Sequence, residues 1–156
     1  MKVQIVTATL ILAMGLMVSP AGAQNAGTQD SGQAAPERPE PPRPAVEYVP
    51  ADPAYNDWYK VVSDSDDAAA DAFNKAGDEF DAKDTVAMCA TLHGIQDTIA
   101  TEIDALNHMT ALLNADSHAT PDQRTYEEYV IGATMDSVSG ARVIADNAVA
   151  DNCKAS

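Results

Sequence analysis

The chain has 156 residues, with 24 acidic and 9 basic side chains. Nucleic acid binding depends on Lys and Arg displacing counterions, so this balance argues against nucleic acid and against anionic membrane surfaces as partners. Only 2 cysteines and 1 tryptophan are present, and C-x-x-C-H, H-E-x-x-H, a Gly-rich phosphate loop and a G-x-S-x-G elbow are all missing, so no cofactor and no enzymatic chemistry is expected.

The chain opens with Lys2, an apolar run from Ile5 to about Val18, and small residues at Ala21 and Ala23. This is the order of a secretory signal peptide over 1–23 ending in an A-x-A site. The apolar run is shorter than the roughly 20 residues a bilayer core requires, and Pro20 follows it. A periplasmic or secreted protein without a membrane span after cleavage is expected. Residues 1–23 contain only Lys2 among the charged side chains, so the mature charge is 8 − 24 = −16. Such a surface suits a basic partner protein.

Residues 24–53 are rich in Gln, Gly, Ser, Ala and Pro, with seven prolines from Pro36 to Pro53. Proline fixes φ and removes donors, so a disordered, extended linker is expected there. A helical domain is expected over 54–156, because proline then recurs only at Pro121, alanine is abundant and strand-like alternation is absent. Its first helix is placed at about Ala68–Ala82, with Ala69, Phe73, Ala76 and Phe80 facing inward. Trp58, Val62, Ser65 and Ala69 share one phase, but "SDSDD" at 63–67 is dense in cap residues, so a break or kink is expected there.

A second helix is predicted from Thr85 to about Asp116, capped by Asp84. Leu92, Ile99, Leu106 and Leu113 recur every seven residues, with Met88, Ile95 and Met109 beside them. Glu102 interrupts this seam, where Ile103 backs it. After a turn at 114–123, with Thr120 as cap and Pro121 at the first helical position, a third helix runs to about Asp151. Its seam is drawn through Val130, Thr134, Val138, Ala141, Ile144 and Ala148. A row of small residues, Ala133, Ser137, Ala141, Ala145 and Val149, lies beside it, and close contact or a bend is expected near Gly132 and Gly140.

Cys89 near the start of the second helix and Cys153 at the end of the third meet if those helices form an antiparallel hairpin. A disulfide is therefore expected in an oxidising compartment, with the last residues frayed or curled back to bring Cys153 about one turn nearer. The fold class is all-α: a small up-down-up bundle built on a disulfide-closed hairpin. A disulfide sulfur is no thiolate ligand, so Cys89 is removed from any site with His93 four residues on.

Two candidate surfaces remain. Tyr55, Trp58, Tyr59, Tyr126 and Tyr129 are expected to gather at the end opposite the disulfide, as a core cap or as a partner-binding patch. His93 with Asp97 and Asp104 with His108 are i,i+4 pairs of the kind that bind zinc or copper, which supplies the alternative reading of a periplasmic metal-binding or stress-responsive protein. The acid pairs Asp78–Glu79 and Glu127–Glu128 are expected on exposed faces. The primary expectation is a non-enzymatic exported helical protein, an adaptor or envelope accessory factor, that binds another protein. An apolar seam too wide for one chain leaves monomer and homodimer both open.

Overall fold

A computed structural model describes residues 39–153; the expected signal segment and residues 24–38 of the expected linker lie outside them. Three helices follow in order: α1 (Ala54–Asp81), α2 (Thr85–Ala115) and α3 (Pro121–Asn152). The fold is all-α, up-down-up, with α2 packed against both neighbours. No Cα of α1 comes within 8 Å of a Cα of α3.

The expected break at 63–67 does not occur, and α1 runs unbroken for 28 residues. Ser and Asp disfavour helix interiors by offering local hydrogen bonds, a preference of only a few tenths of a kcal/mol each (~0.5). Against it stands the burial of Val62, Ser65 and Ala69 in one phase on α2. Asp64 and Asp67 remain exposed, and Asp64 pairs with Lys60. Asp52 begins the helix, its Oδ1 accepting from the Ala54 amide at 2.9 Å.

Helix α1 ends in a Schellman arrangement that no glycine marks in the sequence. Lys83 takes φ 60°, its amide donates to the Phe80 carbonyl, and the Asp84 amide donates to that of Glu79. A lysine thus occupies the left-handed position where glycine is usual. Asp84 then caps α2 as expected, accepting from the Ala87 amide at 3.1 Å. Phe80, expected inward, is 48% exposed because it lies in the last turn of α1, beyond Ala76 where the buried row ends.

All seven apolar seam residues of α2 are buried. On α3 the buried row is Ile131, Val138 and Ala145, whereas Val130 and Ile144 of the expected seam are exposed. The small-residue row reaches the interface at Ala141, Ala145 and Val149, while Ala133 and Ser137 are exposed. Four residues advance a helix by about 400°, so an i+4 row walks off a packed face by about 40° per step. Nothing lies within 4 Å of a Cβ built on Gly140, so no close approach accounts for that glycine.

The disulfide joins Cys89 and Cys153, whose Cα atoms are 5.6 Å apart. The expected fraying is absent, since α3 continues to Asn152. The reason is register. Gln96 Nε2 donates to Asp146 Oδ1 at 2.7 Å, and 96 + 146 = 89 + 153 = 242, so Ala115 at the end of α2 lies level with residue 127. The first turns of α3 therefore overhang α2 at the connecting turn, which displaces its far end toward Cys89. Thr120 and Gln123 form a capping box there, and Arg124 Nη2 donates to the Asp116 carbonyl at 2.7 Å.

The overhang is covered by the end of the proline-rich segment. Tyr48 Oη and the Ala51 amide donate to Asp116 Oδ2 at 2.8 and 3.0 Å. Gln123 Nε2 donates to the carbonyls of Val46 and Glu47 at 3.1 and 3.2 Å. Residues 46–51 of the expected linker are thus bound as a strap, because proline-fixed backbone keeps free carbonyls that a buried amide side chain satisfies.

Replacing both cysteines by serine is expected to lower stability by about 4 kcal/mol for a loop of this size, read as a shift in urea midpoint. Tyr48→Phe should release the strap, seen as several-fold faster limited proteolysis within residues 43–53 with little change in helical circular dichroism.

Candidate interaction face

The five aromatic candidates do come to the end opposite the disulfide, but they are engaged unequally. Tyr55 is buried, and its hydroxyl donates to Glu127 Oε2 at 3.1 Å. Tyr48 meets the Tyr55 ring edge-on at 5.5 Å. Trp58 stacks on His108 at 4.2 Å with the planes 7° apart. Tyr126 lies 5.9 Å beneath the Arg43 guanidinium, and Tyr129 is half-buried. Tyr59 alone of the five is largely open, at 47% exposure. Glu127, expected on a surface, is half-buried under this cluster, and burial raises its pKa against the lowering effect of the tyrosine hydroxyl.

Of the two candidate metal pairs only Asp104 and His108 are in contact, while His93 turns to Gln96 instead of Asp97. His93 Nδ1 is 2.9 Å from Gln96 Oε1, and His108 Nε2 is 3.5 Å from Asp104 Oδ2 while its ring carries Trp58. Asp97 and Asp104 are seven residues apart on one helix, a rise of about 10 Å. Among the described residues no group of three His, Cys, Asp or Glu side chains is placed to hold a metal ion.

Another face emerges from the way the helices sit. On α1, Val61, Asp64, Ser65 and Ala68 line a shallow groove with Thr98 and Thr101 of α2, which marks the α2 side of α1. Round from the buried row Val62–Ala69–Ala76, the opposite side carries Asp66 and Tyr59 at about 60–80°. On α3, Asp146 marks the side turned to Gln96. Val130 and Ile144 lie roughly 80–120° the other way from the buried row. Both flanks border the face between α1 and α3, where side chains close over the seam of α2 and leave Ile95, Ile99 and Glu102 at most 2% exposed. At the disulfide end this face opens into a cleft of about 470 Å³ lined by Phe80, Asp81, Lys83, Thr85, Met88, Asp151 and Asn152. Tyr59, Phe80, Val130 and Ile144, 37–48% exposed, thus stand on the two lips of one mouth.

Glu102 sits in the seam beneath this mouth. It is 2% exposed, and its Oε1 has no hydrogen-bond partner. Although Glu102 interrupts the apolar pattern, Met88, Ile95, Glu102 and Met109 form a seven-residue series, the signal in the sequence that it shares the buried face. From α1 it faces Asp66, with Asp67 behind. The register places residue 140 of α3 opposite it (242 − 102), beside Val138 and Ala141, which do not ionise. The nearest base of α3, Arg142, is turned to Asp146 at 3.9 Å. Burial, with Asp66 adding to it, pushes the Glu102 carboxyl up to about 7. Asp116 is the opposite case, held well below the usual carboxylate range by the amides of Ala51 and His118 and by the Tyr48 hydroxyl.

No family model, curated protein or solved structure matches this chain.

Because the folded-state pKa of Glu102 is raised, the folded chain holds the extra proton between about pH 4.5 and 7. The contribution of this group to stability is therefore greatest below that window and declines as pH rises through it. Glu102→Gln is expected to remove this decline, on the order of 2 kcal/mol after allowance for solvent screening. Thermal melts of the two proteins at pH 5 and pH 8 check it, the variant gaining several degrees at pH 8 only.

Proposed function

We propose that this is a non-enzymatic exported helical protein that binds another protein through the mouth between α1 and α3. The observation that carries the reading is the separation of these two helices, with Tyr59, Phe80, Val130 and Ile144 left half-open on the facing lips. Half-exposed aromatic and branched side chains lining one concavity are the composition of a helix-in-groove interface. The rest of the aromatic set supports this face from behind, since Tyr55 and Trp58 hold the start of α1 in position. Among the described residues no helix is long and apolar enough to cross a membrane, and the disulfide suits an oxidising compartment. Both are compatible with a periplasmic or secreted location.

The test introduces charge on one lip. Val130→Asp with Ile144→Asp places two carboxylates in the mouth without touching a fully buried position. A photo-crosslinker at position 59 should trap a discrete partner in envelope extract with the wild-type chain and lose it with the variant, while circular dichroism stays unchanged. Retained crosslinking by the folded variant overturns the reading.

A further inference from the structure

We propose that the contact between α1 and α2 is a proton-held latch closed over the acid pair Glu102 and Asp66. With a proton on the pair α1 lies shut on the seam; with both acids ionised the middle of α1 lifts from α2, while the disulfide-closed hairpin of α2 and α3 stays folded. This device goes beyond the protein-binding reading and does not depend on it.

The pair is built across a helix contact. Trp58 of α1 stacks on His108 of α2, and Ser65 lines the shallow groove with Thr101, so the stretch around Ser65 lies level with Glu102. Glu102 is 2% exposed and its Oε1 has no hydrogen-bond partner. Half-buried Asp66 faces it from α1, with Asp67 behind. On α2 its neighbours one turn away, Thr98, Ile99, Ala105 and Leu106, carry no charge. On α3 the residues opposite are Val138 and Ala141; Arg142 is turned to Asp146, and exposed Asp136 lies about 200° round the helix from Val138. The remaining bases are engaged or distant: Lys60 with Asp64, Lys75 with Glu79, Arg124 at the turn carbonyls, Arg43 over Tyr126 and Lys83 at the disulfide-end cleft. Among the described residues no base is paired with either acid, so a proton is what neutralises the pair.

Helix α1 is the element that gives way. Helix α3 is tied to α2 by the disulfide at one end and by the Thr120–Gln123 capping box and Arg124 at the other. Helix α1 has no such crosslink, meets α2 near Glu102 through the small side chains Ser65 and Ala69, and gains no support from α3. Small side chains offer little apolar area to set against two enclosed like charges. The groove, about 340 Å³ in volume, already notches the contact at Ser65 and Thr101, one residue from each acid. Closed, burial and then Asp66 push the Glu102 carboxyl up to about 7; opened, it is solvated and returns toward its ordinary 4.5. The closed form therefore holds the extra proton between those values. Opening is rarest below about pH 4.5, grows as pH rises to about 7 and levels off above it. Asp66, raised by its own burial and by Asp67, acts in the same direction.

The experiment is amide hydrogen exchange, read by mass spectrometry on the full oxidised chain from pH 5 to pH 8 and corrected for the intrinsic pH dependence of exchange. The opening equilibrium of amides in residues 62–73 of α1 should rise roughly tenfold or more across this range, against less than about threefold for residues 131–145 of α3. Glu102→Gln should abolish the rise. Asp66→Asn, which keeps Glu102 and removes the neighbouring charge, should shrink the rise and move its midpoint to lower pH. His93, His108 and His118 remain in every variant, so their titration is common to all. Glu127→Gln, beneath Tyr55 at the start of α1, should leave the rise in residues 62–73 in place. A rise of wild-type size in Glu102→Gln, a rise in α3 equal to that in α1, or loss of the rise in Glu127→Gln each overturns the latch. If Glu102→Gln does not fold, the Asp66→Asn midpoint decides, and an unmoved midpoint overturns it.

Discussion

A single apolar seam on α2 serves two neighbours at once, and the other features of the molecule follow from that sharing. Ile95, Ile99, Leu106 and Leu113 are wholly buried because α1 covers the seam from one side and α3 from the other. Neither outer helix carries enough large apolar surface to bury against its counterpart as well. The buried positions of α1 include Ser65, Ala69 and Ala76, and the buried apolar positions of α3 are three spaced residues ending in Ala145. Small side chains on both outer helices draw each toward α2 and leave them apart from one another, with a polar bridge from Tyr55 to Glu127 at one end.

This economy of apolar surface explains why the ends are so heavily secured. A bundle of about 100 residues with few aromatics has little stability to spare. At one end the disulfide ties α3 to α2 where the core has thinned to alanine. At the other, Asp116 and Gln123 gather the strap, the turn and the start of α3 into one hydrogen-bonded group. Asp116 accepts several donors and stays ionised, whereas Glu102 accepts none at Oε1 and favours its protonated form. The two acids differ because one sits where backbone amides converge and the other is enclosed with a second acid, Asp66, as its neighbouring charge.

Much of the fold was legible in the residues. The seven-residue recurrence on α2, Asp84 and Thr120 as caps and the pairing of Cys89 with Cys153 are local or nearly local signals, and each stands in the structure as read. The continuity of α1 through 63–67 was not legible from cap propensity, because packing against α2 outweighs weak local preferences. Nor was the seam of α3, where two apolar tracks about 100° apart, through Val130 and Ile144 and through Ile131 and Val138, compete. The five aromatics were rightly sent to one end, but their division into buried, stacked and open roles depends on neighbours far away in the chain.

Periodicity, proline placement and cysteine count are properties of the chain itself, so the sequence alone determined an all-α hairpin with a covalent tie and an N-terminal segment of different composition. The tertiary structure decided which stripe of α3 is covered, how far α3 overhangs α2, that the last residues of the proline-rich segment are strapped down, and that Glu102 is enclosed within the seam it interrupts. Each of these depends on the register and rotation of one helix relative to another. Register and rotation are set by summed contacts between residues up to 77 positions apart, and no local pattern encodes them.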